Sequence, residues 1–195
     1  MKLAALRLRQ RDGVTCGPAV AVVAGALLDP RYRTSLLAPG AGTADAAGLA
    51  WFSGEQGRIH GQVNRIWPRR LGTTPMGMAR ALSARSAGQT VRYRWRIFGG
   101  LVGGRRDGLA DVRQALAAGL PVPMLIGGLI PRHWVLLVSC DERAATVQCY
   151  EPSSGAVLCL PLAALRAAAM SGPGFRRPFA FVVPRGGPWQ GPVPL

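Results

Sequence analysis

Lysine is nearly missing from this chain. Lys2 is the only one, and the other 23 basic residues are arginines. Without a second lysine there is no GxxxxGK phosphate loop. Histidine is scarce too: His60 and His133 are the only two, and the four cysteines contain no CxxC pair. That spacing excludes a structural zinc site, and neither metal nor cofactor is expected. Long apolar runs are also lacking. Stretches 19–28 and 120–130 are the most apolar, and Pro121 and Pro123 break the second. A bilayer span needs about 20 residues, so no transmembrane segment is expected. Arg7, Arg9 and Arg11 interrupt the N-terminal region, which rules out a signal-peptide layout. The expectation is a soluble, cytoplasmic protein with Cys16, Cys140, Cys149 and Cys159 as free thiols.

Acidic residues number only nine, which leaves a net charge of +15 on 195 residues. At 49% apolar and 17% charged residues the chain is no disordered polycation. A phosphate-binding surface normally mixes lysine with arginine, so the arginine-only excess reads mainly as compositional bias. An anionic partner, either nucleic acid or an acidic substrate, is the second reading. The length suits one domain, placed at 1–185, with a Gly/Pro-rich tail at 186–195.

The order of elements points to an α+β fold. Thr15–Leu28 reads as a buried helix with Pro18 in its first turn, ended by Asp29-Pro30. Residues 31–60 read as irregular. Thr74-Pro75 starts a second helix that runs to about Ser86. Val91–Phe98 alternates apolar residues with arginines and predicts a strand whose basic face, Arg92, Arg94 and Arg96, lies in solvent. Asp107–Ala118 predicts a third helix, closed by Gly119. Beyond residue 121 come short apolar runs at Val122–Ile126, His133–Cys140, Thr146–Glu151 and Ala156–Leu160, a small helix at Leu162–Met170 and a strand at Phe179–Val183. A helical front half followed by an antiparallel back half argues α+β rather than βαβ repeats.

The chemistry concentrates in Gln10-Arg-Asp-Gly-Val-Thr-Cys16-Gly-Pro. A cysteine in a first helical turn meets unpaired N–H groups and the positive end of the macrodipole, both of which favour thiolate. Gln10 can fold back so that its amide helps bind an oxyanion. A thiolate nucleophile needs a base that later returns the proton to the leaving group. His133, at a strand start after Gly127-Gly128 and Pro131, suits that role. His60, flanked by polar residues and glycine, reads as a surface or loop residue.

An acceptor must hold the histidine tautomer. If 133–140 and 146–151 form a hairpin, Glu151 lies beside or diagonal to His133. Asp141 and Glu142 sit at the turn, roughly 25 Å away at strand rise. An even register sum places Glu151 on the face of His133 and an odd one on the opposite face.

Together, Gln-x5-Cys-Gly-Pro, a later histidine at a strand start, and Glu151-Pro-Ser-Ser-Gly155 at the hairpin's return resemble the bacteriocin-leader-processing, double-glycine peptidases and related stand-alone papain-like domains. The resemblance covers residues 10–28 and about 119–160. It implies a papain-like fold, with the nucleophile helix at the N-terminal side packed on a C-terminal antiparallel sheet. It also implies a cysteine peptidase in which Cys16 is the nucleophile, His133 the base, Gln10 part of the oxyanion hole and Glu151 the residue that orients His133. The family has Asp before the proline, so Glu151 is a departure, one methylene longer. The substrate implied is a peptide or protein. The alternatives are a catalytically degenerate peptide-binding module and a basic nucleic-acid-binding protein, the latter less favoured because no helix-turn-helix, zinc-finger or RRM signature is present.

Overall fold

The computed structural model describes residues 3–37, 44–63, 72–86, 91–99 and 108–185. The expected tail at 186–195, and the glycine-rich turn after Gly99, lie outside these residues. A short helix α1 (Leu3–Leu6) precedes α2 (Cys16–Leu28), α3 (Pro30–Thr34), α4 (Ala46–Val63) and α5 (Pro75–Arg85). Strand β1 (Tyr93–Ile97) and helix α6 (Gly108–Ala117) follow, then β2 (Val122–Gly127), β3 (Pro131–Asp141), β4 (Thr146–Glu151), β5 (Ala156–Pro161), α7 (Leu162–Arg166) and β6 (Arg177–Pro184). The six strands form one antiparallel sheet in the order β1-β6-β2-β3-β4-β5. The α+β class and the packing of α2 on the C-terminal sheet, against β2 and β3, are as the sequence predicts.

Helix α2 is apolar all round, and all but one of its residues are buried. A helix with no polar face needs cover on every side. The sheet covers one side of α2, and α3, α4 and α5 cover the rest. Its N-terminus is thereby fixed relative to β3, which matters because Cys16 is its first residue. Thr74 caps α5, accepting from the Gly77 N–H at 3.0 Å with Pro75 at the first helical position.

Four expectations need correction. Residues 31–60 are not irregular: α3 and α4 occupy most of the described part. Four glycines in the 18 residues of α4 hide its period, each costing about 1 kcal/mol of helix propensity. Tertiary contacts override that cost, since Phe52 and Ile59 enter the core. Glu55 adds a buried anchor, accepting from the Tyr32 hydroxyl at 2.5 Å and from the Arg58 and Arg85 guanidiniums. His60, expected on the surface or in a loop, is therefore buried on α4. The helix expected at Leu162–Met170 stops at Arg166, where Ala168 turns to a φ of 52°.

The fourth correction concerns β1. Of the basic face, Arg92 is exposed as expected, but Arg94 and Arg96 are half-buried. Arg96 pairs with Asp111 of α6 at 2.9 Å, and Arg94 reaches the same carboxylate at 3.8 Å. Trp95 and Ile97 are the exposed side chains instead, at 47% and 70%. Helix α5 covers the opposite face of β1 only as far as Tyr93, which is buried.

Candidate active site

The hairpin of β3 and β4 places His133 and Glu151. Near its turn the pairs are Asp141↔Thr146, Cys140↔Val147 and Ser139↔Gln148. A β-bulge leaves Val138 without a counterpart, and the ladder resumes with Leu137↔Cys149 and Leu136↔Tyr150. Continued one step, this register sets Glu151 opposite Val135, two residues from His133 and on the same face. Had the turn's register continued unbroken, Glu151 would have faced Leu136, on the wrong side. The bulge is what delivers the carboxylate.

The carboxylate then meets the ring: His133 Nε2 and Glu151 Oε1 are 2.8 Å apart, with both side chains about one-tenth exposed. The longer glutamate arm spans the diagonal of the hairpin. Its carboxylate is otherwise saturated. Oε1 accepts from the Ser153 N–H, and Oε2 accepts from both the N–H and the hydroxyl of Ser154. This turn needs Gly155, whose φ is 69° and whose Cα faces the backbone of Arg7 and Leu8 so closely that a Cβ would lie 2.7 Å from Arg7 C. Sequence reading gave Ser153 and Ser154 no role. The signal was there, since an acid followed by Pro-Ser-Ser-Gly is a self-capping turn.

Cys16, buried at 5% exposure, opens α2 and is near enough to His133 to act on its charge. Pro18 has no N–H to be capped, so the Thr15 hydroxyl instead accepts from Asp12 N–H and braces the preceding loop. Burial of His133 opposes its charge, but hydrogen bonds to Cys16 and Glu151 and the attraction of both outweigh it and lift its pKa to about 9. Burial likewise works against ionised Glu151, yet the His133, Ser154 and Ser153 donors hold its carboxyl well below the usual carboxylate range. The pair is thus an imidazolium and a carboxylate at neutral pH. Phe175 stands beside the imidazole, with ring centroids 6.1 Å apart, and limits water on that side. No sequence signal marked Phe175.

Gln10 is brought to the same turn. Its backbone N–H donates to the Pro152 carbonyl at 2.7 Å, and its side-chain oxygen accepts from the Ser153 hydroxyl at 3.3 Å. Its Nε2 donates to Asp12 O, leaving the second amide hydrogen for another acceptor. The flanking backbone is tied down by Gln56 of α4, which accepts from Arg11 N–H and donates to Arg9 O, and by the Tyr150 hydroxyl on Leu8 O. The helix that the sequence hid therefore positions the arm carrying Gln10.

Gly17 allows the first turn of α2 to approach its cover. A Cβ there would lie 2.4 Å from Thr73 Oγ1 and 3.2 Å from Trp134 Cδ1, and the Trp134 indole is itself fixed by donating to Thr73 O. Gly17→Ala is expected to destabilise the fold by about 1–3 kcal/mol, although alanine is the better helix former. Urea denaturation measures it, and a variant as stable as the parent would contradict this packing.

Asp141 and Glu142 lie at the turn as expected, and Glu142 is engaged by Arg113. His60 has no hydrogen bond to Cys16 among the described residues, and its Nε2 lacks a partner. No group of three or more potential ligands for a metal ion occurs among the described residues. No helix among them is long and apolar enough to cross a membrane.

These side chains define a class of site: a thiol at the positive end of a buried helix, facing a histidine–carboxylate pair on an antiparallel sheet. Among solved structures, the fold is similar to the N-terminal peptidase C39-like domain of the toxin secretion ATP-binding protein from Vibrio parahaemolyticus. The TM-score is 0.41 and the identity 12%, over 86% of this chain and 95% of that one. No family model matches the sequence, and no curated protein matches it.

Proposed function

We propose that the protein is a papain-like cysteine peptidase, or a related thiol acyl-transfer hydrolase, acting on a peptide or amide bond. The observation that carries this reading is the His133–Glu151 pair at 2.8 Å, with Cys16 at the start of α2 favouring the charged imidazole. The Cys16 thiolate attacks the carbonyl carbon and forms a C–S bond. The oxyanion is held by the Cys16 backbone N–H and the free amide hydrogen of Gln10. His133 gives its proton to the nitrogen as the C–N bond breaks. It then takes a proton from water, whose oxygen attacks the acyl group and releases the thiolate. Glu151 keeps the ring oriented and stabilises its charged form. The departure from Asp does not argue for a degenerate module, because the glutamate reaches the ring at 2.8 Å. The pairing of Arg94 and Arg96 with Asp111 weighs against the nucleic-acid reading.

Alkylation by iodoacetamide, located by mass spectrometry, tests the thiol. At pH 7 Cys16 is expected to react about 10-fold faster than free cysteine. Cys140, pushed up by burial and by Glu142, and Cys149, pushed up by burial, should lag. A Cys16 no faster than a model thiol would remove the nucleophile from the proposal. In turnover, kcat/KM should decline above about pH 9, where His133 loses the proton that the leaving group needs.

A further inference from the structure

A groove of about 960 Å³ lies between α5 and the outer edge of β1, remote from the thiol in sequence. Its walls carry four arginines, Arg80, Arg92, Arg94 and Arg185, and no carboxylate. Among the described residues only Arg94 of these four has an acidic neighbour, Asp111, at 3.8 Å. Arg80, Arg92 and Arg185 are exposed. Between them the floor is apolar, with Met76 half-exposed at 51% and Trp95 at 47%.

The edge itself is partly unused. Arg185 N–H donates to Arg92 O and Phe98 N–H to Phe179 O, so the even-numbered residues of β1 bond to β6. The odd-numbered ones direct their N–H and C=O groups away from β6 to the open edge, where Tyr93 and Trp95 line the groove. At Tyr93 and Val91 helix α5 satisfies them: Tyr93 N–H donates to Ser83 Oγ at 2.8 Å, and the Ser86 hydroxyl donates to Val91 O at 2.6 Å. At Trp95 and Ile97 no described residue does so. A helix and an open strand edge flanking a groove are the elements that take up an extended peptide as an added strand. An uncompensated arginine lining selects carboxylate side chains, and an open backbone ladder suits a peptide rather than a nucleic acid.

We propose that this groove docks an extended acidic peptide segment, paired with β1 at Trp95 and Ile97 and held by Arg80, Arg92 and Arg185. The row of the sheet that holds His133 runs through Ile126 and Pro178 toward Gly99, four residues beyond Trp95, the β1 residue of the groove nearest that end. Three strand spacings across the sheet and four residues along it put Trp95 roughly 20 Å from His133, a distance that about seven extended residues span. An acidic segment bound there and the bond presented to Cys16 can thus belong to one chain. The docking proposal itself does not require the thiol to be active.

Fluorescence anisotropy with the full chain carrying Cys16→Ala tests the groove without cleavage. The probes are a labelled peptide of alternating Glu and Val, its Gln/Val counterpart, and a single-stranded oligonucleotide of similar length. The Glu/Val peptide is expected to bind at least about 10-fold more tightly than the Gln/Val peptide, and the preference should shrink as salt rises. The combined Arg80→Gln, Arg92→Gln, Arg185→Gln variant is expected to lose about 10-fold or more, with its thermal unfolding unchanged. Hydrogen exchange should slow at the Trp95 and Ile97 amides when the peptide binds. Equal binding of the two peptides, retained affinity in the arginine variant, or unprotected amides would overturn the proposal. So would tighter binding of the oligonucleotide, which would make the groove a nucleic-acid surface. Iodoacetamide reactivity of Cys16, measured separately in the unsubstituted chain, tells failure of the groove from failure of the peptidase reading.

Discussion

Cys16→Ala is expected to lower peptide-bond turnover by at least about 10⁴-fold and to abolish the covalent adduct at that position, with the fold intact. Alanine provides no nucleophile, and neither His133 nor the oxyanion donors can replace one. The substitution removes one sulfur from a site that is buried at 5% exposure, so a stability change of about 1 kcal/mol is the ceiling. Turnover of a fluorogenic peptide mixture, read beside thermal unfolding, separates the two effects. A folded Cys16→Ala protein that still cleaves at the parent rate would end the proposed mechanism.

Glu151→Gln carries the second largest expected loss. A carboxamide has one acceptor oxygen where the carboxylate serves His133, both N–H groups and the Ser154 hydroxyl with two. Its NH2 must face a donor, which costs about 1–3 kcal/mol of stability. The larger effect is on the histidine. Without the anion, His133 falls back from about 9 toward its ordinary value of 6.5. The imidazolium that protonates the leaving group is then depleted at pH 7, and kcat should drop roughly 10²–10³-fold. The alkaline limb of the pH profile should move down with it, which a merely structural role would not cause. Glu151→Asp keeps the charge but withdraws it by one methylene, about 1.5 Å. It should recover stability better than activity. If Asp matched Glu in kcat and in the position of the alkaline limb, the hairpin diagonal would not be what sets this distance.

Stability follows the same signs. A histidine raised above its unfolded value contributes in full below about pH 6.5, and the contribution disappears as pH rises through about 9. For Glu151, held low, the contribution is present above the ordinary carboxylate range and is lost as acid protonates it.

Much of this was legible in the chain. Buried α2, the proline-capped α5 and the short apolar strands all show in local pattern, because each depends on period or on a breaker that acts within a few residues. Cys16, His133 and Glu151 could be named, and the hairpin limited which acid could serve. The face on which Glu151 lies could not be decided, because it rests on the one unpaired residue at Val138 and no local signal announces a bulge. Helix α4 was hidden by its glycines, and its anchors, Glu55 to Tyr32 and Arg85 and Gln56 to the arm of Gln10, are all distant in sequence. The inverted exposure of β1 has a similar cause: Asp111, on another element, draws in the arginines that pattern alone would leave in water.

Val138 also makes the acid–base pair a matter of parity. Between His133 and Glu151 the chain must contain one residue that the opposing strand does not count. Side chains throughout the hairpin can change while this holds, yet removing a single residue at the bulge would turn His133 and Glu151 to opposite sides with every other contact type available. Insertions at the tip, around Glu142 to Ala145, leave this register unchanged, because the count does not propagate from there. The candidate site is therefore protected less by the identity of its neighbours than by the number of them, and length variation in β3 is the change it can least absorb.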